Sequence, residues 1–112
     1  VDIFNAVAKG GLQNIKAFKM DTRSLSFSDQ TFDVTCALEV IEHIQQIENV
    51  LRELFRVTKY YLIISVPSKE DTNPEHIHLI SERWLRSLFK QYNISKIEFH
   101  YVLNHMIAMV KK

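Results

Sequence analysis

Glycine, proline and cysteine are all scarce in this chain of 112 residues, which has two glycines, two prolines and one cysteine. A single cysteine excludes an internal disulfide and a cysteine-based zinc cluster. The only glycine pair, Gly10-Gly11, has no third glycine near it. A glycine-rich phosphate loop and a G-x-G-x-x-G dinucleotide turn are therefore absent from the sequence.

Long apolar runs and an excess of one charge are also missing. No apolar stretch approaches the roughly 20 residues of a membrane span, and no basic-then-apolar signal segment opens the chain. The net charge of +1 provides no overall field that would attract nucleic acid or a membrane surface. With 46% hydrophobic and 24% charged residues, the sequence predicts a single globular domain over residues 1–112. We expect a cytoplasmic protein with neither a membrane nor a nucleic-acid partner.

The first half of the chain alternates between strand and helix patterns. Residues 1–9 predict the end of a helix that Gly10-Gly11 stops, and residues 14–20 predict a short strand before a polar loop over residues 21–31. Residues 32–38 are β-prone and mostly apolar, which predicts a strand buried on both faces, with Cys36 inside it. From Glu39 the apolar spacing changes to three and four, which predicts one amphipathic helix of about five turns.

The second half repeats this alternation and ends in a hairpin. Residues 60–66 form an apolar run that predicts a central parallel strand ending at Pro67, followed by a long polar loop. Ser81 is a suitable N-cap for a helix that carries Trp84 and continues to Tyr92. Residues 94–102 and 105–110 alternate around a possible tight turn. The order predicts an α/β fold with a mostly parallel sheet, a closing antiparallel strand, and a ligand site at the carboxyl ends of the strands.

Two groups of polar residues follow the strands at that edge. Asp21, beside Thr22, could accept hydrogen bonds from a ligand amine or hydroxyl, or could simply cap its own loop. Glu39, Glu42 and His43 are spaced by three and four, so on one helix they would share a face suited to acid–base work or to a divalent metal. The helix dipole alone could also explain the two glutamates, and His43 could be a packed histidine.

Four further histidines lie outside these two groups. His76 and His78 lie in the long loop, where they could contact a metal or a substrate, or could contact the following helix. His100 and His105 flank the predicted hairpin, and we expect them to be structural and away from the edge that holds the ligand.

Several segments resemble class I S-adenosylmethionine-dependent methyltransferases of the type 11 branch. The segment DTRSLSFSDQTFD from Asp21 is similar to their D-x-x-x-L-P-F-x-D-x-x-F-D motif, and EVIEHI from Glu39 resembles their E-V-I/L-E-H-I helix start. LRELFRV from Leu51, LIISVP from Leu62 and EHIH from Glu75 resemble the next three family segments. The resemblance covers roughly residues 18–89 in order. It implies a Rossmann-like methyltransferase sheet and S-adenosylmethionine as cofactor.

The resemblance also implies roles for individual residues, including a small-molecule methyl acceptor bound beside the cofactor. Asp21 and Thr22 correspond to the adenine contact, and Leu38 and Glu39 to positions beside the methionine part of the cofactor. His43 and His76 are the implied general-base candidates, and no metal is expected. Glu42, Pro67 and His78 correspond to the substrate side.

The glycine-rich N-terminal part of the family has no counterpart in this sequence. We therefore expect the chain to correspond to the C-terminal two-thirds of a methyltransferase domain, truncated at its N-terminus. An exposed sheet edge could then make the chain a homo-oligomer, or a non-catalytic module for protein association. A further alternative is a metal-dependent RNA 2′-O-methyltransferase, because such enzymes hold a divalent ion with an E-x-x-E-H segment and a later histidine.

Overall fold

Four strands form one mixed β-sheet in the computed structural model, which describes residues 15–68 and 80–112. The strands are β1 (Phe32–Leu38), β2 (Thr58–Pro67), β3 (Lys96–Val102) and β4 (His105–Lys111), in the sheet order β1-β2-β4-β3. β1 and β2 are parallel, whereas β4 is antiparallel to both β2 and β3. These pairings confirm the α/β sheet with a closing antiparallel strand.

Two α-helices pack on one face of this sheet and create the core. They are α1 (Ile47–Val57) and α2 (Glu82–Phe89). Successive side chains of a strand point to opposite faces, so alternate residues of β2 and β4 meet the helices. The buried residues on that face are Leu62, Ile64, Val66, Met106, Ala108 and Val110, which pack against Leu51, Phe55, Leu85 and Phe89 of the helices.

The single long helix predicted from Glu39 is wrong. The structure has one turn of 3₁₀ helix (Ile41–His43), then an extended residue at Ile44, and α1 begins only at Ile47. Ile41 and Ile47 are both buried, but in a continuous helix two residues six apart would point about 120° from each other. The extended segment resets the helical phase, so that both side chains reach the core.

The predicted burial of the strand over residues 32–38 on both faces is also wrong, because in the described residues the helices cover only one face of the sheet, the face of Ala37 and its buried partner Ile64. Val34 and Cys36 are exposed, and Ala37 is the one residue of β1 that is fully buried. Residues 15–20 do not form the predicted strand, since no adjacent strand supplies backbone partners in the part of the chain that the structure describes.

The predicted N-cap and hairpin at the C-terminal end are confirmed, but α2 ends at Phe89 and does not continue to Tyr92 as predicted. Ser81 caps α2, and its hydroxyl accepts a hydrogen bond from the Trp84 amide at 3.1 Å. β3 and β4 form a hairpin around Leu103 and Asn104, and Leu103 adopts a positive φ of 54°. No helix in the described ranges is long and apolar enough to cross a membrane.

Candidate active site

The carboxyl ends of β1 and β2 and the start of β4 meet at one edge of the sheet. Leu38 ends β1 opposite Ser65, and Pro67 ends β2 opposite His105, the first residue of β4. The Ser68 amide donates a 2.8 Å hydrogen bond to the Asn104 carbonyl, which ties the exit of β2 to the hairpin turn. Pro67 therefore lies at the edge where ligands bind in open α/β sheets.

A sharp backbone turn at Glu39 defines one side of this edge. Glu39 has a φ of 55°, in the left-handed region that is unfavourable for residues with a Cβ atom. Its amide still donates a 2.9 Å hydrogen bond to the Ser65 carbonyl, so the hydrogen bonding between β1 and β2 continues one residue past Leu38. Leu38 itself is 58% exposed. The strand thus ends with an apolar side chain open to solvent and a carboxylate turned back across the sheet.

The carboxylate of Glu39 contacts His105 from the opposite side of β2. Glu39 Oε1 contacts His105 Nδ1, while Glu39 Oε2 is buried without a hydrogen-bond partner among the described residues. The expectation that His105 lies away from the ligand edge is therefore wrong, because an antiparallel strand starts where its parallel neighbours end. His100, inside β3, lies 3.8 Å from Glu98 through Nε2.

Glu42 and His43 do not share one helical face with Glu39, contrary to the prediction. The 3₁₀ turn buries the Glu42 side chain almost completely, at 1% exposure, and leaves His43 exposed. Glu42 Oε1 lies 3.4 Å from His43 Nε2, and neither carboxylate oxygen has a hydrogen-bond partner in the described ranges. A buried carboxylate without donors is costly, so a polar ligand beside it would stabilise the fold.

The loop that contains Asp21 lies against the segment between the 3₁₀ turn and α1. Arg23 binds the Asp21 carboxylate through Nε at 2.9 Å and Nη2 at 2.6 Å, and reaches Gln46 Oε1 at 3.3 Å. These hydrogen bonds lower the pKa of Asp21 to about 2, so the carboxylate is charged near neutral pH. A cleft of about 260 Å³ is lined by Asp21, Thr22, Arg23, Ile44, Gln45 and Gln46.

The two remaining site candidates, His76 and His78, lie outside the described residues. Within residues 15–68 and 80–112, no group of three or more His, Cys, Asp or Glu side chains is arranged to hold a metal ion.

His105 is the functional candidate that the sequence reasoning missed. The signal was available, since the predicted hairpin makes the last strand antiparallel. The first residue of that strand, His105, then lies at the same edge of the sheet as Pro67, where the sequence predicts the ligand site.

Comparisons with known proteins agree with this architecture. The model of a family described as "Methyltransferase domain" matches residues 2–61. A curated protein from Botryococcus braunii, "Sterol methyltransferase-like 1", is 30% identical over 80 residues, which cover 65% of this chain and 21% of that protein. The chain thus spans about a fifth of the length of this curated relative.

Solved methyltransferase structures share the fold across nearly the whole chain. A "SAM-dependent methyltransferase, possible histamine N-methyltransferase" from Thermotoga maritima superposes with a TM-score of 0.74 at 14% identity, covering 99% of this chain and 70% of that one. A SAM-dependent methyltransferase from Archaeoglobus fulgidus gives 0.73 at 16% identity, covering 99% and 74%. The fold is that of the S-adenosylmethionine-dependent methyltransferases, and the chain belongs to the methyltransferase-domain family.

Proposed function

We propose that this chain is the acceptor-side part of a methyltransferase that uses S-adenosylmethionine to methylate a small molecule. The observation that carries the proposal is the set of buried carboxylate oxygens on Glu39 and Glu42, which have no hydrogen-bond donors among the described residues. Buried acceptors of this kind are usually satisfied by a ligand or by water. They follow β1 at the carboxyl edge, where α/β sheets bind their ligands.

The chemistry of these side chains fits the cofactor. S-adenosylmethionine has N–H donors on its adenine and its ammonium group, and it supplies an electrophilic methyl group on a cationic sulfur. In this proposal the Asp21 carboxylate accepts from the adenine amine, with Thr22 beside it, and Leu38 and Glu39 line the methionine part. Asp21 is suited to this role because it stays charged and opens onto a cleft.

The acceptor side consists of Glu42, Pro67 and His78, with His43 and His76 as candidates for proton transfer. His43 is exposed and lies next to the buried Glu42 carboxylate, which supports a role at the boundary of the pocket. The relative from Botryococcus braunii is named as sterol methyltransferase-like, which favours a small apolar acceptor. A cytoplasmic location, expected from the sequence, belongs to the same proposal.

Isothermal titration calorimetry with S-adenosylmethionine and S-adenosylhomocysteine tests the cofactor assignment. Asp21→Asn should weaken both ligands by about tenfold, because it replaces a charged acceptor by a neutral one. Asp33→Asn is the matched control, since Asp33 is an exposed residue near the amino end of β1 and away from the ligand edge. Absence of binding both to the unmodified chain and to a longer protein that contains it would overturn the proposal.

We also propose that two copies of the chain associate through the outer edge of β1. That edge has no partner strand in the described part of the chain, and it presents the exposed side chains of Val34 and Leu38. Unpaired strand edges recruit other strands unless a charge blocks them. Analytical ultracentrifugation should show a dimer that Val34→Lys dissociates and that Leu103→Lys, at the distant hairpin turn, leaves intact. A monomer at all accessible concentrations would contradict this.

A further inference from the structure

The pair formed by Glu39 and His105 has the geometry of an oriented histidine. Glu39 turns back across the sheet because its φ is 55° and its amide is fixed to the Ser65 carbonyl. His105 is fixed from the other side, since it begins β4 and pairs with Pro67 in one direction and Val102 in the other. Both backbones are therefore held by the sheet, and their side chains meet at its carboxyl edge.

The contact uses one particular nitrogen of the imidazole ring. Glu39 Oε1 meets His105 at Nδ1, and a carboxylate there keeps the proton of the neutral ring on Nδ1. The second nitrogen, Nε2, is then a bare acceptor on a side chain that is 49% exposed. His43 and His100 differ, because their contacts with Glu42 and Glu98 involve Nε2.

We propose that His105, rather than His43 or His76, takes the proton of the methyl acceptor, and that Glu39 orients its ring for this purpose. This inference rests on the proposed function, but nothing in the family resemblance or the comparisons assigns a role to His105. It requires an acceptor with an O–H or N–H group, bound above the ends of β1 and β2 with that group facing His105 Nε2.

The proton and electron balance of the transfer is simple. The acceptor's oxygen or nitrogen forms a bond to the methyl carbon, and the carbon–sulfur bond breaks with its electron pair remaining on sulfur. The proton of the acceptor moves to His105 Nε2, and Glu39 stabilises the resulting imidazolium through Nδ1. The products are the methylated acceptor and S-adenosylhomocysteine, and no other reactant is needed.

A cofactor analogue can test this without knowledge of the acceptor. The probe carries a C–NH₃⁺ group in place of S⁺–CH₃, so it presents N–H donors where the methyl group would be. Its affinity and that of S-adenosylhomocysteine are measured by calorimetry at about pH 8, above the ordinary range for imidazole. His105→Ala should weaken the amine probe by up to about tenfold, because an N–H group of the probe reaches Nε2 through a water at the position of the acceptor's oxygen or nitrogen, and bridged hydrogen bonds are nearly as strong as direct ones. The affinity for S-adenosylhomocysteine should change less than about twofold.

Two further variants separate this role from a structural one. His105→Gln places an amide oxygen near the position of Nε2, so it should weaken the amine probe less than His105→Ala does. His100→Ala, in the neighbouring strand β3, should leave both affinities unchanged. Equal loss of both ligands in His105→Ala, or unchanged affinity for the amine probe, would overturn the inference. If S-adenosylhomocysteine binds neither the unmodified chain nor a longer protein that contains it, the proposed function itself fails.

The ring orientation has an independent readout. In ¹⁵N nuclear magnetic resonance spectra recorded with the His105 ring neutral, the nitrogen Nδ1 should give the signal of a protonated nitrogen. The nitrogen Nε2 should give the signal of an unprotonated one. Glu39→Ala should shift His105 toward the other tautomer, whereas Glu98→Ala should leave it unchanged. A neutral His105 with its proton on Nε2 in the unmodified chain would contradict the proposal directly.

Discussion

Lys112 stabilises the fold through the C-terminal end of α1, and its ammonium group can be removed without removing its carbon stem. Lys112 Nζ donates hydrogen bonds to the carbonyls of Phe55 at 2.8 Å and Thr58 at 2.9 Å, and lies 3.4 Å from the carbonyl of Arg56. The same nitrogen lies 4.5 Å from the centre of the Phe55 ring. A single cation therefore donates hydrogen bonds to carbonyls at the end of a helix and also contacts the face of an aromatic ring.

These contacts set the size of the expected effect. Hydrogen bonds from a charged donor contribute about 1.5–3 kcal/mol, and a cation at a partly buried helix C-terminus contributes up to about 2 kcal/mol. Two costs oppose them. Burial lowers the pKa of Lys112, which means that desolvation offsets part of the gain, and ordering a lysine side chain costs up to about 2 kcal/mol. We therefore expect Lys112→Met to reduce the free energy of unfolding by about 2 kcal/mol.

Urea unfolding followed by circular dichroism measures this difference, provided that the denaturant slope is the same in both proteins. Lys111→Met is the matched control, because Lys111 is the preceding residue and its side chain is exposed. That control should change stability by less than about 0.5 kcal/mol. If the two variants lose the same amount, the hydrogen bonds from Lys112 contribute nothing and the reasoning is wrong.

Three further changes test other local features of the fold through their effects on its stability, which thermal or urea unfolding measures. The pKa of Glu53 is lowered by its hydrogen bond to Arg56, so this pair stabilises the chain above the ordinary glutamate range and the contribution disappears as the pH falls through the lowered value. On acidification, Glu53→Gln should therefore lose less melting temperature than the unmodified chain does. An unchanged dependence of melting temperature on pH would count against a stabilising pair of Glu53 and Arg56. Ser81→Ala should cost about 1 kcal/mol by removing the N-cap, whereas Ser87→Ala, exposed within α2, should cost less; equal losses would refute the capping role. Leu103→Gly should add about 0.5–1 kcal/mol, because Leu103 is 92% exposed and has a φ of 54°, and a destabilised variant would show that its side chain matters to the fold.

Local signals predicted the parts of the fold that depend on neighbours in sequence. The apolar run over residues 60–66 became the interior strand β2, which lies between β1 and β4 and buries Leu62, Ile64 and Val66 against the helices. Ser81 became an N-cap because the hydroxyl and the amide that it accepts from are three residues apart. The hairpin was predictable because both strands alternate around a two-residue turn.

Features that depend on distant neighbours were not predictable from the same patterns. The spacing of apolar residues from Ile41 to Thr58 fits one helix, and it cannot reveal that the chain extends at Ile44 to reset its phase. The apolar composition of residues 32–38 indicates a strand but does not say which of its faces are covered. Cys36 is exposed because it lies on the face opposite to Ala37, and the helices cover only the face of Ala37 in the described part of the chain.

The site depends on both kinds of feature, because local patterns in the sequence are enough to place His105 at the ligand edge. A parallel sheet collects its functional residues where strands end, but a strand that runs the other way contributes its first residue to the same edge. Once the hairpin is predicted, the two-residue turn places His105 next to Pro67, and Glu39 is one residue past the end of the neighbouring strand. What the sequence could not provide is the direction of the Glu39 side chain, which depends on a positive φ that no glycine or asparagine signals. The sequence therefore predicts that Glu39 and His105 lie near each other, whereas the contact between their side chains depends on one strained backbone angle.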